Sequence, residues 1–196
     1  MSVNYNNIHY GLLDSKLYVP EKWFGKEYAE RRTKCHFPKD LSFKTKAQQG
    51  LDLLQKAEKI GAFEGRWVAV DSFFGANPEF LDAIGKKYCY FADIRSNTLV
   101  WLKRPKIGLP PYKGQGPYPK KQIPLKDPLP VSEIAKDPLL SWETVSIGEG
   151  AKGPIMARVA CLRVIEKRDC LPGKECWLFF RKNADGEIKC PMQWTA

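Results

Sequence analysis

Few residues of the sequence suit a soft-metal or thiol-based site. Its 196 residues include six cysteines and two histidines. No two cysteines show the gap of about two to four residues that is typical of zinc sites, and only His9 and His36 are available as imidazole ligands. We therefore expect reduced structural thiols rather than a zinc site or a disulfide framework.

Two longer patterns are also absent. No stretch approaches the ~20 apolar residues that a membrane helix needs, and residues 1–7 lack the basic and apolar segments of a secretory signal. We therefore expect a cytoplasmic protein with no membrane partner. There is no Gly-x-Gly-x-x-Gly or Walker sequence, so a small-molecule enzyme on an α/β scaffold has little support.

Basic residues, in contrast, are plentiful. The 32 Lys and Arg outnumber the 22 Asp and Glu, which gives a formal net charge of +10. Hydrophobic residues make up 43% of the chain and include six Trp, which is enough for a packed core. For a basic globular chain, a polyanion such as nucleic acid is the first partner to consider.

The basic excess is concentrated in a Pro-rich segment over residues 103–130, which has seven basic residues and no acid before Asp127. Two interpretations stay open. The segment is either a solvated linker or an arm along DNA phosphates, to which Tyr112 and Tyr118 add contacts. The second interpretation gives six DNA-binding candidates: Lys103, Arg104, Lys106, Lys113, Lys120 and Lys121.

A helix is predicted over residues 46–60. Thr45 and Gln48 have the spacing of a capping box, which satisfies two backbone donors at a helix start. Apolar residues recur at helical spacing through this segment. Gly61 follows at the position of a left-handed C-terminal cap.

An α/β arrangement follows from the next residues. The β-prone runs over 67–70 and 88–92 flank a second helix, which Asn77 and Pro78 begin, after a turn over 72–76. Strands that alternate with helices in this way pair in parallel. The fold class is therefore predicted as α/β.

Other segments have simpler patterns. A strand over 12–19 that ends at Pro20 is expected, followed by a charged turn or short helix over 26–36. Three antiparallel strands are expected near the end of the chain, over 158–165, 176–181 and 187–192, with an Asp-Gly turn over 183–187 before the last. The predicted divisions are a core over 1–102, a basic arm over 103–140 and an antiparallel β-rich region over 141–196.

Asp71 is the principal candidate site residue. It directly follows the apolar run over 67–70, which places it at the carboxyl edge of the predicted sheet. Ligand sites of open α/β folds collect at that edge. The alternative is that the carboxylate only caps the turn that follows.

Several segments resemble bacterial insertion-sequence transposases of the DDE superfamily. Residues 12–23 (LLDSKLYVPEKW) are similar to a leucine-aspartate-basic-leucine-tyrosine-leucine-proline run of that family, which a tryptophan follows. Residues 43–46 (FKTK) and 70–75 (VDSFFG) match two further motifs. Weaker likenesses lie in residues 153–154, 162–164 and 177–178. The likeness is dense over 11–102 and thin through the Pro-rich segment.

The resemblance implies a partial RNase H-like fold and Mg²⁺-dependent chemistry on DNA. Three acids of such enzymes hold two Mg²⁺ ions, which activate the nucleophile and stabilise the leaving oxygen. By its motif Asp71 corresponds to the second acid, and so to a catalytic and metal-binding residue. Asp14 matches a family aspartate outside the triad, and Glu143 lies in the wrong place in the order of motifs.

The resemblance also implies that the other two acids lie outside residues 1–196. We therefore expect an inactive fragment of a DNA transposase, with DNA (transposon ends) as partner and an oligomer with the intact transposase as a further option. The alternative is a basic module that binds DNA without cutting it, which steep salt dependence without a metal requirement would indicate.

Overall fold

The computed structural model describes residues 2–5, 9–61, 65–112, 114, 117–151, 153–182 and 188–195, and the side chains of those between positions 11 and 182. The chain divides into two compact units, Met1–Arg66 and Trp67–Ala196. The three divisions expected from the sequence, 1–102, 103–140 and 141–196, stay a prediction.

The first unit begins with a hairpin and continues with helices. Strands β1 (Ser2–Tyr5) and β2 (His9–Leu12) pair antiparallel. Two 3₁₀ turns (Glu21–Phe24 and Lys26–Tyr28) lead into helix α1 (Ala29–Lys34). The short helix expected over 26–36 is therefore confirmed.

The strand expected over 12–19 is wrong beyond its first residue. β2 ends at Leu12, and residues 13–20 have no regular structure. Asp14 explains the break, because its Oδ1 accepts from the backbone N–H of Ser15 at 2.8 Å and its Oδ2 lies 2.6 Å from Lys56 Nζ. Such side-chain bonds compete with the ladder bonds of a strand.

Helix α2 (Lys46–Lys59) confirms the predicted helix. Thr45 Oγ1 accepts from the N–H of Gln48 at 3.2 Å, and the Thr45 N–H donates to Gln48 Oε1 at 2.9 Å, so the capping box is complete. Gly61 has φ of 68°, in the left-handed region. Ala47 and Leu54 are among the buried side chains of this helix.

The second unit is built on one eight-stranded sheet in the order β3-β4-β12-β11-β10-β5-β8, with β9 paired to β10. A further pair, β6 with β7, lies outside it. The strands are β3 (Trp67–Val70), β4 (Cys89–Asp93), β5 (Leu99–Trp101), β6 (Ile107–Gly108), β7 (Ile123–Pro124), β8 (Leu129–Pro130), β9 (Glu143–Gly150), β10 (Gly153–Arg168), β11 (Leu171–Lys182) and β12 (Ile188–Thr195). The helices are α3 (Ser72–Gly75), α4 (Pro78–Ile84) and α5 (Val131–Ile134).

β3 and β4 form the parallel pair that the sequence predicts, with Val70 opposite Ala92. α4 begins as expected, because Asn77 Oδ1 accepts from the N–H of Phe80 at 2.9 Å. The turn expected over 72–76 is instead the short helix α3, since the Asp71 carboxylate accepts its first backbone N–H groups. The mixed α/β class is thus confirmed, and the RNase H-like arrangement stays a prediction.

The antiparallel strands also agree with the prediction. β10 pairs with β11 and β11 with β12, whereas the turn expected over 183–187 lies outside the described residues. β12 also pairs antiparallel with β4. The β-rich part is therefore continuous with the sheet that contains the parallel pair.

The core of this unit lies between the long strands and α5. Leu178 and Phe180 of β11 have no exposed surface, and neither has Val131 of α5. Val164 of β10 packs in the same cluster. This packing fixes α5 near the carboxyl end of β4, because Ile94, the residue after that strand, belongs to the cluster too.

Candidate functional site

Asp71 lies where the sequence predicts, directly after β3 and before α3. Its side chain caps α3, because Oδ1 accepts from the N–H of Phe73 at 3.0 Å and of Phe74 at 3.2 Å. Asp71 therefore caps the turn that follows it, as one of the two interpretations predicts. Both of these hydrogen bonds are accepted by Oδ1, so capping does not use Oδ2, and that oxygen could bind a cation.

Asp93 is a second carboxylate at this edge, and sequence reasoning missed it. It is the last residue of β4 and directly follows Ala92. Ala92 is the partner of Val70 in the parallel pair, and Asp71 directly follows Val70. Partial burial raises the pKa of the Asp93 carboxyl, the negative charge of Asp71 raises it further, and Arg181 opposes both. The signal was present, because Asp93 directly follows the second predicted strand, 88–92, as Asp71 follows the first.

Gly75 explains how the two carboxylates come together. A Cβ at Gly75 would lie 2.0 Å from the backbone O of Asp93 and 3.4 Å from Ala92 Cβ. Only a residue without a side chain therefore lets α3 pack this closely on β4. The glycine of the sequence 70–75 thus fixes the distance between the Asp71 turn and the end of β4.

The two ends of the Pro-rich segment are paired with each other. Ile107 pairs with Pro124 through β6 and β7, and the N–H of Leu125 donates to the Lys106 carbonyl at 2.8 Å. At its base, Trp101 Nε1 donates to the Lys126 carbonyl at 2.7 Å. Residues 103–126, the basic part of the predicted arm, thus begin and end next to each other.

The six DNA-binding candidates have different surroundings. Lys103, Lys106, Lys120 and Lys121 are exposed, and Lys113 lies outside the described residues. Arg104 donates from Nη2 to the Gly173 carbonyl at 2.8 Å, so its guanidinium is partly engaged in the fold. Tyr112 and Tyr118 stack on each other with ring centroids 4.2 Å apart. The DNA-binding role of these six residues stays a prediction.

Asp14 has a structural position. Its ion pair with Lys56 joins residues 13–20 to α2 inside the first unit, and the hydrogen bond from Lys56 is the largest cause of the lowered pKa of the Asp14 carboxyl. Glu143 is the exposed first residue of β9. Its strand pairs with β10 and not with either strand of the parallel pair.

The donor set at this edge suits a single Mg²⁺ better than a pair. Mg²⁺ prefers hard oxygen ligands and is often held by one or two carboxylates together with substrate phosphates. Asp71 and Asp93 offer that. In the part of the chain that the structure describes, no group of three or more His, Cys, Asp or Glu residues is placed to hold a metal ion.

No described helix has the length and apolar character to cross a membrane.

Neither a curated protein nor a solved structure matches the chain. One family model does match, over residues 5–154, which include β3, Asp71, Asp93 and the basic arm. It describes DDE superfamily endonucleases, proteins of a nuclease or transposase type that typically use divalent metals and take DNA as substrate. The match covers more than half of the chain, which therefore belongs to the DDE superfamily endonuclease family.

Proposed function

We propose that this chain is part of an insertion-sequence DNA transposase, in which Asp71 is a catalytic carboxylate that binds Mg²⁺. The position of Asp71 carries the proposal, because it stands at the carboxyl edge of the parallel pair within the matched residues. In such a site Mg²⁺ supplies charge stabilisation at a phosphate and an activated oxygen nucleophile.

The residues around Asp71 have separate tasks. The N–H groups of Phe73 and Phe74 hold the carboxylate at one oxygen and so fix its orientation. The neighbouring Asp93 adds negative charge, which attracts a cation and repels the carboxylate of Asp71 when none is bound. The 196 residues by themselves are proposed to be inactive in cleavage, since one or two carboxylates supply too few ligands for two metals.

Asp71→Asn tests the metal role without removing the cap. The amide oxygen of asparagine still accepts from Phe73 and Phe74, but the charge is gone. We expect the affinity for Mn²⁺, measured by electron paramagnetic resonance, to fall at least ~10-fold. Removal of a group that supports a metal site commonly costs that much affinity. Asp52→Asn is the matched control, because Asp52 is a half-exposed carboxylate in the other unit, paired with Lys44 at 2.6 Å.

Equal Mn²⁺ affinity in the wild type and Asp71→Asn would contradict the metal role. A nicking assay on supercoiled DNA tests the inactivity separately. We expect no Mg²⁺-dependent nicking by the wild-type chain. Nicking that disappears in Asp71→Asn would overturn the proposed inactivity while supporting the role of Asp71.

The alternative function is DNA binding without cleavage. The exposed basic residues of residues 103–126 favour it, because phosphate contacts alone give affinity. Binding of DNA that neither requires a divalent cation nor changes in Asp71→Asn would support this alternative, provided that Mn²⁺ binding is also unchanged in the variant. Association with an intact transposase would then interfere with transposition rather than complete a site.

A further inference from the structure

A cleft of about 700 Å³ opens beside the carboxyl ends of β3 and β4. Ser72, the residue after Asp71, lines one side of it, and the turn over 94–97 that follows β4 lines another. Ser132 of α5 and Lys136 just beyond that helix line it as well. The cleft thus adjoins the edge at which Asp71 stands.

Backbone hydrogen bonds hold the walls of the cleft in place. The N–H of Ser132 donates to the Ser96 carbonyl and that of Val131 to the Thr98 carbonyl, each at 2.9 Å. Phe180 and Val131 lie behind the surface, because neither has any exposed area. Since the first amides of α5 are already used, side chains must supply the polar contacts to a ligand.

Those side chains have the chemistry of a phosphate site. Among the described residues, three hydroxyls, one amide and two cations line the cleft, and no carboxylate does: Ser72, Ser96, Ser132, Asn97, Arg95 and Lys136. The described ion pairs of this unit engage other cations, namely Arg163, Arg168 and Lys174. Hydroxyl, amide and basic side chains are the usual partners of the sugar–phosphate backbone.

The size of the cleft selects a single strand. A volume of about 700 Å³ corresponds to a cube of about 9 Å, which is smaller than the ~12 Å width of the major groove alone. A duplex therefore does not enter it. A short piece of one strand does, because sites for ligands of that size span roughly 300–1,000 Å³.

We infer that this cleft binds the sugar–phosphate backbone of a single DNA strand, with Arg95 and Lys136 each at a phosphate, and so holds the strand beside Asp71. The inference rests on the proposed function, because it names the part of the DNA that Asp71 meets. It assigns positioning of the strand to the cleft and not to the basic arm.

Binding of fluorescent oligo(dT) without divalent cations tests the inference. For the double variant Arg95→Ala and Lys136→Ala, we expect weaker binding and a slope of log affinity against log salt that is smaller by about 1.4, since each phosphate contact on a single strand contributes about 0.7.

The matched control is the double variant Lys86→Ala and Arg158→Ala, which loses one lysine and one arginine from exposed positions outside the cleft. Its slope should stay close to that of the wild type. Equal slopes for the two double variants would overturn the inference, with folding of each checked by its circular dichroism melting curve. Displacement of oligo(dT) by a mononucleotide at equal phosphate concentration would also overturn it, since the cleft would then bind a soluble ligand.

Failure of this inference and failure of the proposed function give different results. Asp71→Asn should leave oligo(dT) binding without metal nearly unchanged and affect only Mn²⁺ binding. If Arg95 and Lys136 prove irrelevant while Asp71→Asn still loses Mn²⁺, only the cleft is misassigned. If Mn²⁺ binding is unaffected while the cleft variants lose DNA, only the metal role is wrong.

Discussion

At the scale of single residues, Asp71 combines a local and a proposed chemical role. Its Oδ1 ends β3 and begins α3 through two backbone hydrogen bonds. A capping aspartate is common at such a place, so capping alone does not distinguish a site from a turn. Partial burial raises the pKa of the neighbouring Asp93 carboxyl, and the negative charge of Asp71 raises it further. A bound cation would relieve this cost, which supports the proposed role of Asp71.

Gly75→Ala should disrupt this arrangement. The new Cβ would lie 2.0 Å from the Asp93 backbone O, and backbone cannot move aside as a flexible side chain can. We expect a loss of about 3 kcal/mol in the free energy of unfolding, at the upper end of overpacking costs, measured by urea denaturation. Gly148→Ala is the control, because nothing lies within 4 Å of a Cβ there. Equal stability of the two variants would show that α3 is not held against β4.

At the scale of elements, local signals were sufficient for α2 and insufficient for residues 13–20. The capping box, the apolar spacing and Gly61 all describe the same helix. In residues 13–20 the apolar residues have the composition of a strand, but Asp14 bonds to Ser15 and Lys56 instead. Lys56 is 42 residues away in the chain, so no local pattern could reveal that partner.

Thr45→Ala should destabilise α2. It removes the acceptor for the Gln48 N–H, and loss of an N-cap oxygen typically costs ~1 kcal/mol. Thr45→Ser keeps the hydroxyl and should retain most of the stability. Both variants can be compared by urea denaturation followed by far-ultraviolet circular dichroism. A Thr45→Ala protein as stable as Thr45→Ser would mean that the capping box contributes little.

At the scale of the whole second unit, an ion-pair network joins α4 to the turn between β10 and β11. Asp82 on α4 lies 2.7 Å from Arg168 Nη1 and 2.9 Å from Lys174 Nζ. The buried Glu166 pairs with Arg168 at 3.0 Å and accepts from the N–H of Lys174 at 2.9 Å. The contacts of Asp82 span 86 or more positions in the chain, and they fix α4 relative to the long strands.

Asp82→Asn should change how stability depends on pH. The hydrogen bond from Lys174, and then that from Arg168, outweighs burial and lowers the pKa of the Asp82 carboxyl below its usual 3.8. A lowered pKa stabilises the fold above pH 3.8 and ceases to do so as the pH falls through the folded-state pKa. The free energy of unfolding of the wild type should therefore exceed that of the variant near neutral pH. The difference should be only about 1 kcal/mol, because the ion pairs are partly exposed. It should disappear well below pH 3.8.

The loss of this stabilisation at high pH follows from Lys174. Its hydrogen bond to Asp82 raises the pKa of the Lys174 ammonium above 10.5, so this stabilisation is complete below pH 10.5 and is lost as the pH rises through the raised folded-state pKa. Urea denaturation across the pH range measures both limits. Glu175→Gln, which removes a half-exposed partner of Arg163, is the control and should show a smaller difference. A constant difference between the wild type and Asp82→Asn at all pH values would contradict the role of the network.

The sequence by itself determined the elements that local chemistry specifies. The cap at Thr45, the cap at Asn77 and the apolar runs of β3 and β4 are short-range features, so they could be predicted together with the position of Asp71 after β3. The excess of basic residues in residues 103–126 was likewise a property of composition.

The neighbours of these elements in space could be known only from the tertiary structure. It brought Asp93 next to Asp71 through the pairing of two strands, closed the basic arm through β6 and β7, and formed the cleft from a turn and α5. Each of these depends on contacts between residues far apart in the chain, which neither periodicity nor composition encodes. For the same reason, the carboxylates could be ranked only after the pairing of β3 with β4 was known.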